Sequence, residues 1–240
     1  MQRYIDPLID TVSPITTNGR IQAFRVFYGH LLKEGFVQVS PMVGIEKVQQ
    51  PHTIKRVITP DELSRILDQI DKRTFIGTRD RALILLTFDA MLRLSEALSL
   101  KTEQLDLRSG VIRVKGKGRK ERFVAFSPAT AQLLHTYVTR FRSKVSGDLL
   151  FCTRHGGLIG HRYAQRIFSN PAHKLGLHLH PHLVRHSGAT AFVRAGGPLA
   201  VLQRALGHST LRVTERYIHV DDTDLRTAYE RFSPAAGIRV

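Results

Sequence analysis

One segment in the second half of the chain combines histidines and an arginine at a spacing that suits an anion. His182 and Arg185 are three residues apart in the stretch HPHLVRHSGATAF, so in a helix they share one face, with about 5–6 Å between their Cβ atoms. Both would project from the first turn of that helix, where free backbone amides favour an anion. An arginine can bind two phosphate oxygens at once. A surface helix with assorted histidines has the same sequence pattern, so this segment alone leaves both interpretations open.

A second segment follows shortly after and ends in a tight turn. The stretch PLAVLQRALGHS predicts a helix that begins at Pro198 and ends at Gly207. His208 then lies between two helices, and Tyr217 follows nine residues later. A tyrosine at such a position is in many proteins a half-buried core residue. The histidine turn before it favours a chemical role.

The rest of the pattern predicts the elements that must hold these residues. Thr59, Pro60 and the acids after them are typical of a helix start, because threonine caps free amides and proline fits the first turn. Residues 110–126 predict a β-hairpin with a basic turn, GKGRK. The spacing of apolar residues predicts helices over 18–36, 78–90, 128–142, 160–174, 181–195, 198–206 and 209–218. The fold class is therefore mainly α with a small antiparallel β-sheet, an α+β fold.

The charge of the chain indicates an anionic partner. Lys and Arg number 36 against 20 Asp and Glu, a formal net charge of +16. Residues 1–50 contribute only +1 of this, so +15 lies beyond them. Such an excess is typical of nucleic-acid binding. A protein that merely coats nucleic acid would carry the same charge, so the charge alone does not indicate catalysis.

The cysteine content and the apolar runs bear on the compartment. Cys152 is the single cysteine of the sequence, which excludes an intrachain disulfide and a thiolate zinc site and favours a reducing compartment. The N-terminal stretch MQRYIDPLID has acids where a secretory signal needs an apolar core, and the apolar run around 82–88 is too short to span a membrane. We therefore expect a soluble cytoplasmic protein.

A change of composition predicts a domain boundary. Residues 41–58 are rich in Pro, Gly and Gln and lack periodicity, and they separate the nearly neutral segment from the basic one. We therefore expect a helical segment over 1–50, a linker to about residue 58, and a larger domain over 59–240.

In five short boxes the sequence resembles the tyrosine recombinase, or phage integrase, family. The resemblance covers about residues 55–220, with each box in the family's order. The boxes are Arg93-Leu-Ser-Glu96, Gly116-Lys117-Gly118-Arg119-Lys120, His182-Leu-Val-Arg185-His186, Leu206-Gly207-His208 and Tyr217. The resemblance implies the catalytic-domain fold of this family, preceded by a truncated form of its helical core-binding (SAM-like) domain.

The resemblance also implies a site and a reaction. The catalytic residues would be Arg93, Lys117, His182, Arg185, His208 and Tyr217. Tyr217 would attack a backbone phosphate and form a 3′-phosphotyrosyl bond, with the two arginines and His208 binding the phosphate. Lys117 would protonate the leaving oxygen, and His182 would accept the phenol proton. Glu96 would orient an arginine, and the reaction would need neither a metal ion nor ATP nor another cofactor.

Double-stranded DNA is the implied partner, bound by a homotetramer on paired sites. The predicted DNA contacts beside the catalytic residues are Lys115, Arg119, Lys120, Arg162 and Arg166. Further basic residues predicted to follow the DNA backbone are Arg113, Arg122, Arg140, Arg142 and Lys144.

Two departures from the family pattern keep alternatives open. Met91 stands where the family has a glycine before Leu-Arg, and glycine permits backbone geometry that methionine resists. Residues 15–40 resemble the last helix of the core-binding domain, so the chain has either an abbreviated DNA clamp or is a fragment. A type IB topoisomerase-like nicking-closing enzyme and a non-catalytic DNA-binding regulator are the alternative functions. The target site and the outcome, whether integration, excision, inversion or dimer resolution, stay open.

Overall fold

The structure is a computed structural model that describes residues 1–49, 56–115 and 121–207. The chain divides into two compact units, the first covering residues 1–55 and the second beginning at Arg56. The limits expected from composition, 50 and 59, lie close to this division. Within the described ranges, no helix is both long enough and apolar enough to span a membrane.

Over residues 1–49, the first unit consists of two helices and the loop that follows them. α1 (Gln2–Thr11) was not predicted, and α2 (Pro14–Lys33) begins four residues before its predicted start because the Ser13 side chain accepts a hydrogen bond from the Thr16 amide and Pro14 fits the first turn. The buried apolar residues of this unit are Ile5, Ile21, Met42 and Ile45.

Threonine side chains cap the first two helices of the second unit. α3 (Pro60–Asp68) has a capping box between Thr59 and Glu62, which confirms the predicted start. α4 (Phe75–Asp89) begins three residues before its predicted start because the Thr74 side chain accepts a hydrogen bond from the Gly77 amide. The helices that follow are α5 (Leu94–Leu98), α6 (Pro128–Arg140), α7 (His161–His173), α8 (Pro181–Arg194) and α9 (Leu199–Leu206). The helix predicted over 209–218 lies outside the described residues.

A small antiparallel sheet completes the second unit. Its strands are β1 (Leu105–Asp106), β2 (Val111–Lys115) and β3 (Glu121–Ala125), in the order β1-β2-β3. β2 and β3 pair from Val111 opposite Ala125 to Lys115 opposite Glu121, which confirms the predicted hairpin strands. The fold is therefore mainly helical with one small sheet, as expected.

α4 lies at the centre of the second unit and packs against α6 and α8. Its contact with α8 is close because α8 has a glycine where the helices meet: a Cβ atom on Gly188 would lie 1.9 Å from the carbonyl oxygen of Phe88. In addition, the Ser187 hydroxyl accepts a hydrogen bond of 2.8 Å from the Ile58 amide. The Gly188 contact places α8 beside the C-terminal end of α4, where the chain turns into α5, and the Ser187 hydrogen bond joins α8 to the segment before α3.

Candidate active site

The carboxylate of Glu96 lies at the centre of a cluster of arginines. Glu96 is in α5, and its side chain is only 8% exposed. Arg93 precedes α5, donating its backbone amide to Glu96 Oε2 at 2.8 Å and its guanidinium to Oε1 at 2.9 Å. Its side chain is 47% exposed. Glu96 thus fixes Arg93 just before α5, while part of the Arg93 side chain stays accessible.

A second arginine reaches the same carboxylate from the sheet. Arg122 in β3 donates from Nη1 to Glu96 Oε1 at 3.0 Å and from Nη2 to Oε2 at 2.9 Å. Its Nε donates to the carbonyl oxygen of Ala205, near the end of α9, at 3.0 Å. The side chain is only 11% exposed. Arg122 therefore connects the hairpin, α5 and α9.

A third arginine approaches from α8. Arg185 donates from Nη2 to the carbonyl oxygen of Leu206 at 3.0 Å, and its Nη1 lies 3.7 Å from Glu96 Oε2. Its side chain is 5% exposed. The close packing of α8 on α4 brings this guanidinium toward Glu96, because Arg185 lies one turn before Gly188.

The cluster carries more positive than negative charge. Three guanidiniums surround one carboxylate, a surplus of two positive charges among the described groups of the cluster. Burial raises the pKa of Glu96, but the hydrogen bonds from Arg122 and from the Arg93 amide outweigh this effect, and the pKa lies below its ordinary value. The carboxylate thus stays ionised. The last carbonyls of α9, the negative end of a helix dipole, further stabilise the buried cations.

His182 lies in the first turn of α8 and is exposed. The helix begins at Pro181, and the residue before it caps the helix, with Nδ1 of His180 accepting a hydrogen bond of 3.1 Å from the Leu183 amide. His182 therefore has the first-turn position expected from the sequence, on the same helix as Arg185.

The helix before the predicted histidine turn ends as expected. Gly207 ends α9 in the left-handed conformation, with φ of 64°, a conformation that favours glycine. Of the predicted site residues, Lys117, Arg119, Lys120, His208 and Tyr217 lie outside the described residues.

Three of the predicted DNA contacts lie at the surface. Lys115 is the last residue of β2, and Arg162 and Arg166 are four residues apart on α7; all three are exposed. Their positions are compatible with DNA contact, and their role stays a prediction.

Two other basic residues are not placed as predicted. Arg142 was expected on the DNA backbone but is buried, donating to the carbonyl oxygens of Leu149 and Gly147 at 2.6 Å each and also to that of Val145. Arg122 was expected there too, but it binds Glu96 and Ala205. Both predictions are wrong, because net charge does not distinguish a surface arginine from one that satisfies buried oxygens.

Arg122 is also the site residue that the sequence motifs missed. Side chains alternate between the two faces of a strand, so Arg122 shares a face with Val124, which is buried. This alternation was a usable signal that Arg122 faces inward.

Met91, which replaces the expected glycine, has the left-handed backbone that glycine would adopt. Its φ is 51°, and among the described residues it alone has a positive φ without being glycine. Its buried side chain packs with Ala189 of α8 and with Leu202 and Leu206 of α9. The substitution therefore keeps the turn into Arg93 and adds an apolar contact to α9.

Candidate metal ligands do not cluster in the part of the chain that the structure describes. Over 1–49, 56–115 and 121–207, the His, Cys, Asp and Glu side chains form no group of three that could hold a metal ion.

Comparison with known proteins gives consistent matches. A family model described as the phage integrase family matches residues 56–224. The tyrosine recombinase XerC of Pseudomonas aeruginosa is 34% identical over 218 residues, which is 90% of this chain and 72% of the relative. XerC of Escherichia coli is 36% identical over 220 residues, covering 90% of this chain and 74% of the relative.

Solved structures show the same fold. The XerH site-specific recombinase, bound to palindromic difH substrate in a post-cleavage complex, has a TM-score of 0.79 and 26% identity, covering 95% of this chain and 70% of that chain. A lambda integrase dimer bound to a COC′ core site has a TM-score of 0.69 at 14% identity, covering 89% of this chain and 61% of that chain. The second likeness concerns the fold alone.

Proposed function

Because the chain belongs to the phage integrase family and is a tyrosine recombinase, we propose that it cuts and rejoins DNA strands at specific sites through a 3′-phosphotyrosyl bond. The observation that carries this proposal is the arginine cluster around Glu96. Its buried, hydrogen-bonded guanidiniums provide fixed positive charge beside the exposed part of Arg93.

The charge of the cluster suits phosphoryl transfer. A phosphodiester carries one negative charge, and a second develops when an ionised nucleophile attacks the phosphorus. The cluster has a surplus of two positive charges. Donors held in place before the reaction stabilise developing charge without reorganising. Arg93 and Arg185 would therefore stabilise the transition state on the non-bridging oxygens, with Glu96 holding them in position.

The remaining steps of the proposed reaction follow from the family resemblance. The phenolic oxygen of Tyr217 attacks the phosphorus while the bond from phosphorus to the 5′-oxygen breaks. His182 accepts the phenol proton, Lys117 gives a proton to the 5′-oxygen, and His208 donates a hydrogen bond to the phosphate. The phosphotyrosyl ester conserves the energy of the broken bond, so rejoining needs no ATP. We propose that no metal ion takes part, since side chains provide the positive charge.

The proposed substrate is double-stranded DNA. XerH is bound to its difH substrate in the matching structure, and the basic surface residues of this chain, including Arg162 and Arg166, suit backbone contacts. A homotetramer on paired DNA sites and a cytoplasmic location are further parts of this proposal.

A covalent adduct tests the proposed reaction. The substrate is a duplex that the protein binds and that has been selected from a random library. A nick placed near the cleavage point lets the short strand with the free 5′-oxygen diffuse away after cleavage. Rejoining is then prevented, and the covalent adduct accumulates. Incubation in EDTA followed by a denaturing gel should show a protein–DNA adduct. Tyr217→Phe should abolish it, and Tyr4→Phe in the first unit should not.

Other outcomes identify the alternatives. Binding to the selected duplex without an adduct would favour a DNA-binding regulator. An adduct that forms only with added divalent cation would contradict metal independence. If supercoils are relaxed but two marked duplexes exchange no strands, the protein is a topoisomerase-like nicking-closing enzyme.

A further inference from the structure

Arg122 is the arginine of the cluster that lies on the hairpin, in β3, whereas Arg93 precedes α5 and Arg185 lies on α8. We propose that it is a positioning residue of the strand-transfer site, joining β3 to Glu96 and to the end of α9 so that Arg93 and Arg185 are held in position for the phosphate. This inference rests on the proposed function.

The geometry of Arg122 suits such a role. Its Nη1 and Nη2 atoms bind both oxygens of Glu96, and its Nε binds the Ala205 carbonyl. All three nitrogens of the guanidinium are therefore used within the protein. Gly207, which ends α9, lies against the same group, because a Cβ atom on Gly207 would be 3.3 Å from the Nε, Cζ and Nη1 atoms of Arg122. With its nitrogens engaged and 11% of its side chain exposed, Arg122 is suited to hold other groups rather than to bind DNA.

The three arginines share one acid, and this sharing explains what Arg122 contributes. Arg122 supplies two of the hydrogen bonds that Glu96 accepts, and Arg185 stays 3.7 Å away. Without Arg122, the buried carboxylate would attract Arg93 and Arg185 more strongly, because an unpaired buried charge is costly. The surplus charge of the cluster would fall from two to one, and less of it would face the phosphate.

The pH dependence of the reaction distinguishes positioning from general stability. The charged groups that face Glu96 within the described residues are Arg93 before α5, Arg122 on β3 and Arg185 on α8. Burial raises the pKa of Glu96, and the Arg122 hydrogen bond is the largest opposing effect. Loss of Arg122 should therefore raise this pKa. Protonated Glu96 holds Arg93 less well, so the cleavage rate falls as the pH is lowered. This acid limb of the pH–rate profile should therefore move to higher pH when Arg122 is lost.

The experiment measures single-turnover adduct formation on the selected nicked duplex at saturating protein, from acid to neutral pH. Arg122→Met removes the bridge, and Arg122→Lys keeps the charge without the two-oxygen contact. Arg73→Met is the matched control, since the exposed Arg73 pairs with Asp71 outside the cluster. We expect Arg122→Met to cleave about 100-fold more slowly at neutral pH, as for a group displaced by an ångström. Arg122→Lys should lie between it and the wild type, and Arg73→Met should match the wild type.

The acid limb provides the second readout. It should move to higher pH in Arg122→Met, whereas Arg122→Met should cause no such shift in a Glu96→Gln background, in which residue 96 no longer titrates. If Arg122→Met does not fold, the same shift, smaller in size, is expected in Arg122→Lys. If the wild type forms the adduct and the folded Arg122 variants keep its rate and pH profile, the role of Arg122 is overturned and the proposed function is not. Absence of a wild-type adduct overturns the proposed function, and the inference with it.

Discussion

Met91 has a backbone conformation that side chains other than glycine rarely adopt. A left-handed conformation costs an L-residue about 1–2 kcal/mol, yet its side chain is buried against α8 and α9. This packing offsets the cost of the conformation at least in part, which explains how methionine can occupy the position.

Two substitutions of Met91 separate packing from backbone strain. Met91→Ala keeps the strain and loses the packing, so we expect a loss of about 2–5 kcal/mol in the free energy of unfolding. Met91→Gly loses the packing but relieves the strain. It should be at least as stable as Met91→Ala, although glycine ordinarily costs about 0.5–1 kcal/mol relative to alanine within regular structure. Urea unfolding measures the free energy of unfolding of both variants. A value for Met91→Gly clearly lower than that for Met91→Ala would contradict backbone strain at this position.

Glu96 makes stability depend on pH. Its pKa in the folded protein lies below the ordinary value of 4.5, so its ionisation stabilises the folded state above that value. This contribution should disappear as the pH falls from 4.5 through the lower folded pKa. Glu96→Gln should lack this pH dependence and should lose about 3–5 kcal/mol at neutral pH, because buried guanidiniums lose their counterion. Urea unfolding at several pH values measures the free energy of unfolding of the wild type and of Glu96→Gln. If this free energy changes with pH in the same way in the two proteins, the role of Glu96 is contradicted.

At the scale of elements, the contact between α4 and α8 decides where Arg185 lies. A methyl group on Gly188 would meet the Phe88 carbonyl at 1.9 Å, so Gly188→Ala must push the helices apart. We expect a loss of about 1–3 kcal/mol from this overpacking and slower adduct formation. Gly29→Ala in α2 is the control, because nothing lies within 4 Å of its added methyl group. Unchanged unfolding and cleavage in Gly188→Ala would show that the contact is not tight.

The elements that were predictable are those with local signals. Capping by Thr59 and the left-handed end at Gly207 were apparent in the sequence, because both depend on neighbouring residues. α5 and β1 were missed because five and two residues are too short to show a period. The motifs identified Arg93, Glu96 and Arg185. They did not show that Arg122 and Arg142 turn inward, since the oxygens that these arginines bind belong to segments far along the chain or to loop carbonyls.

At the scale of the whole molecule, the positive charge should make DNA binding strongly dependent on salt. Each phosphate contact contributes about 0.9 to the slope of log affinity against log salt concentration. Replacing both Arg162 and Arg166 by alanine should therefore lower this slope by about 2 if both contact phosphates. Fluorescence anisotropy with a labelled duplex measures it, and Arg73→Ala serves as the control. A slope equal to that of the wild type would show that neither Arg162 nor Arg166 contacts a phosphate.

The small core of the first unit affects how the whole chain loses its structure. Among residues 1–49, four buried apolar side chains form the core of this unit, whereas the described part of the second unit encloses a much larger cluster. A core that small provides little stability by itself, so melting of the chain should proceed in two transitions, with the first unit opening at the lower temperature. Substitutions at Met91, Glu96 and Gly188 should change the free energy of the second transition. A fit to one transition would underestimate these changes.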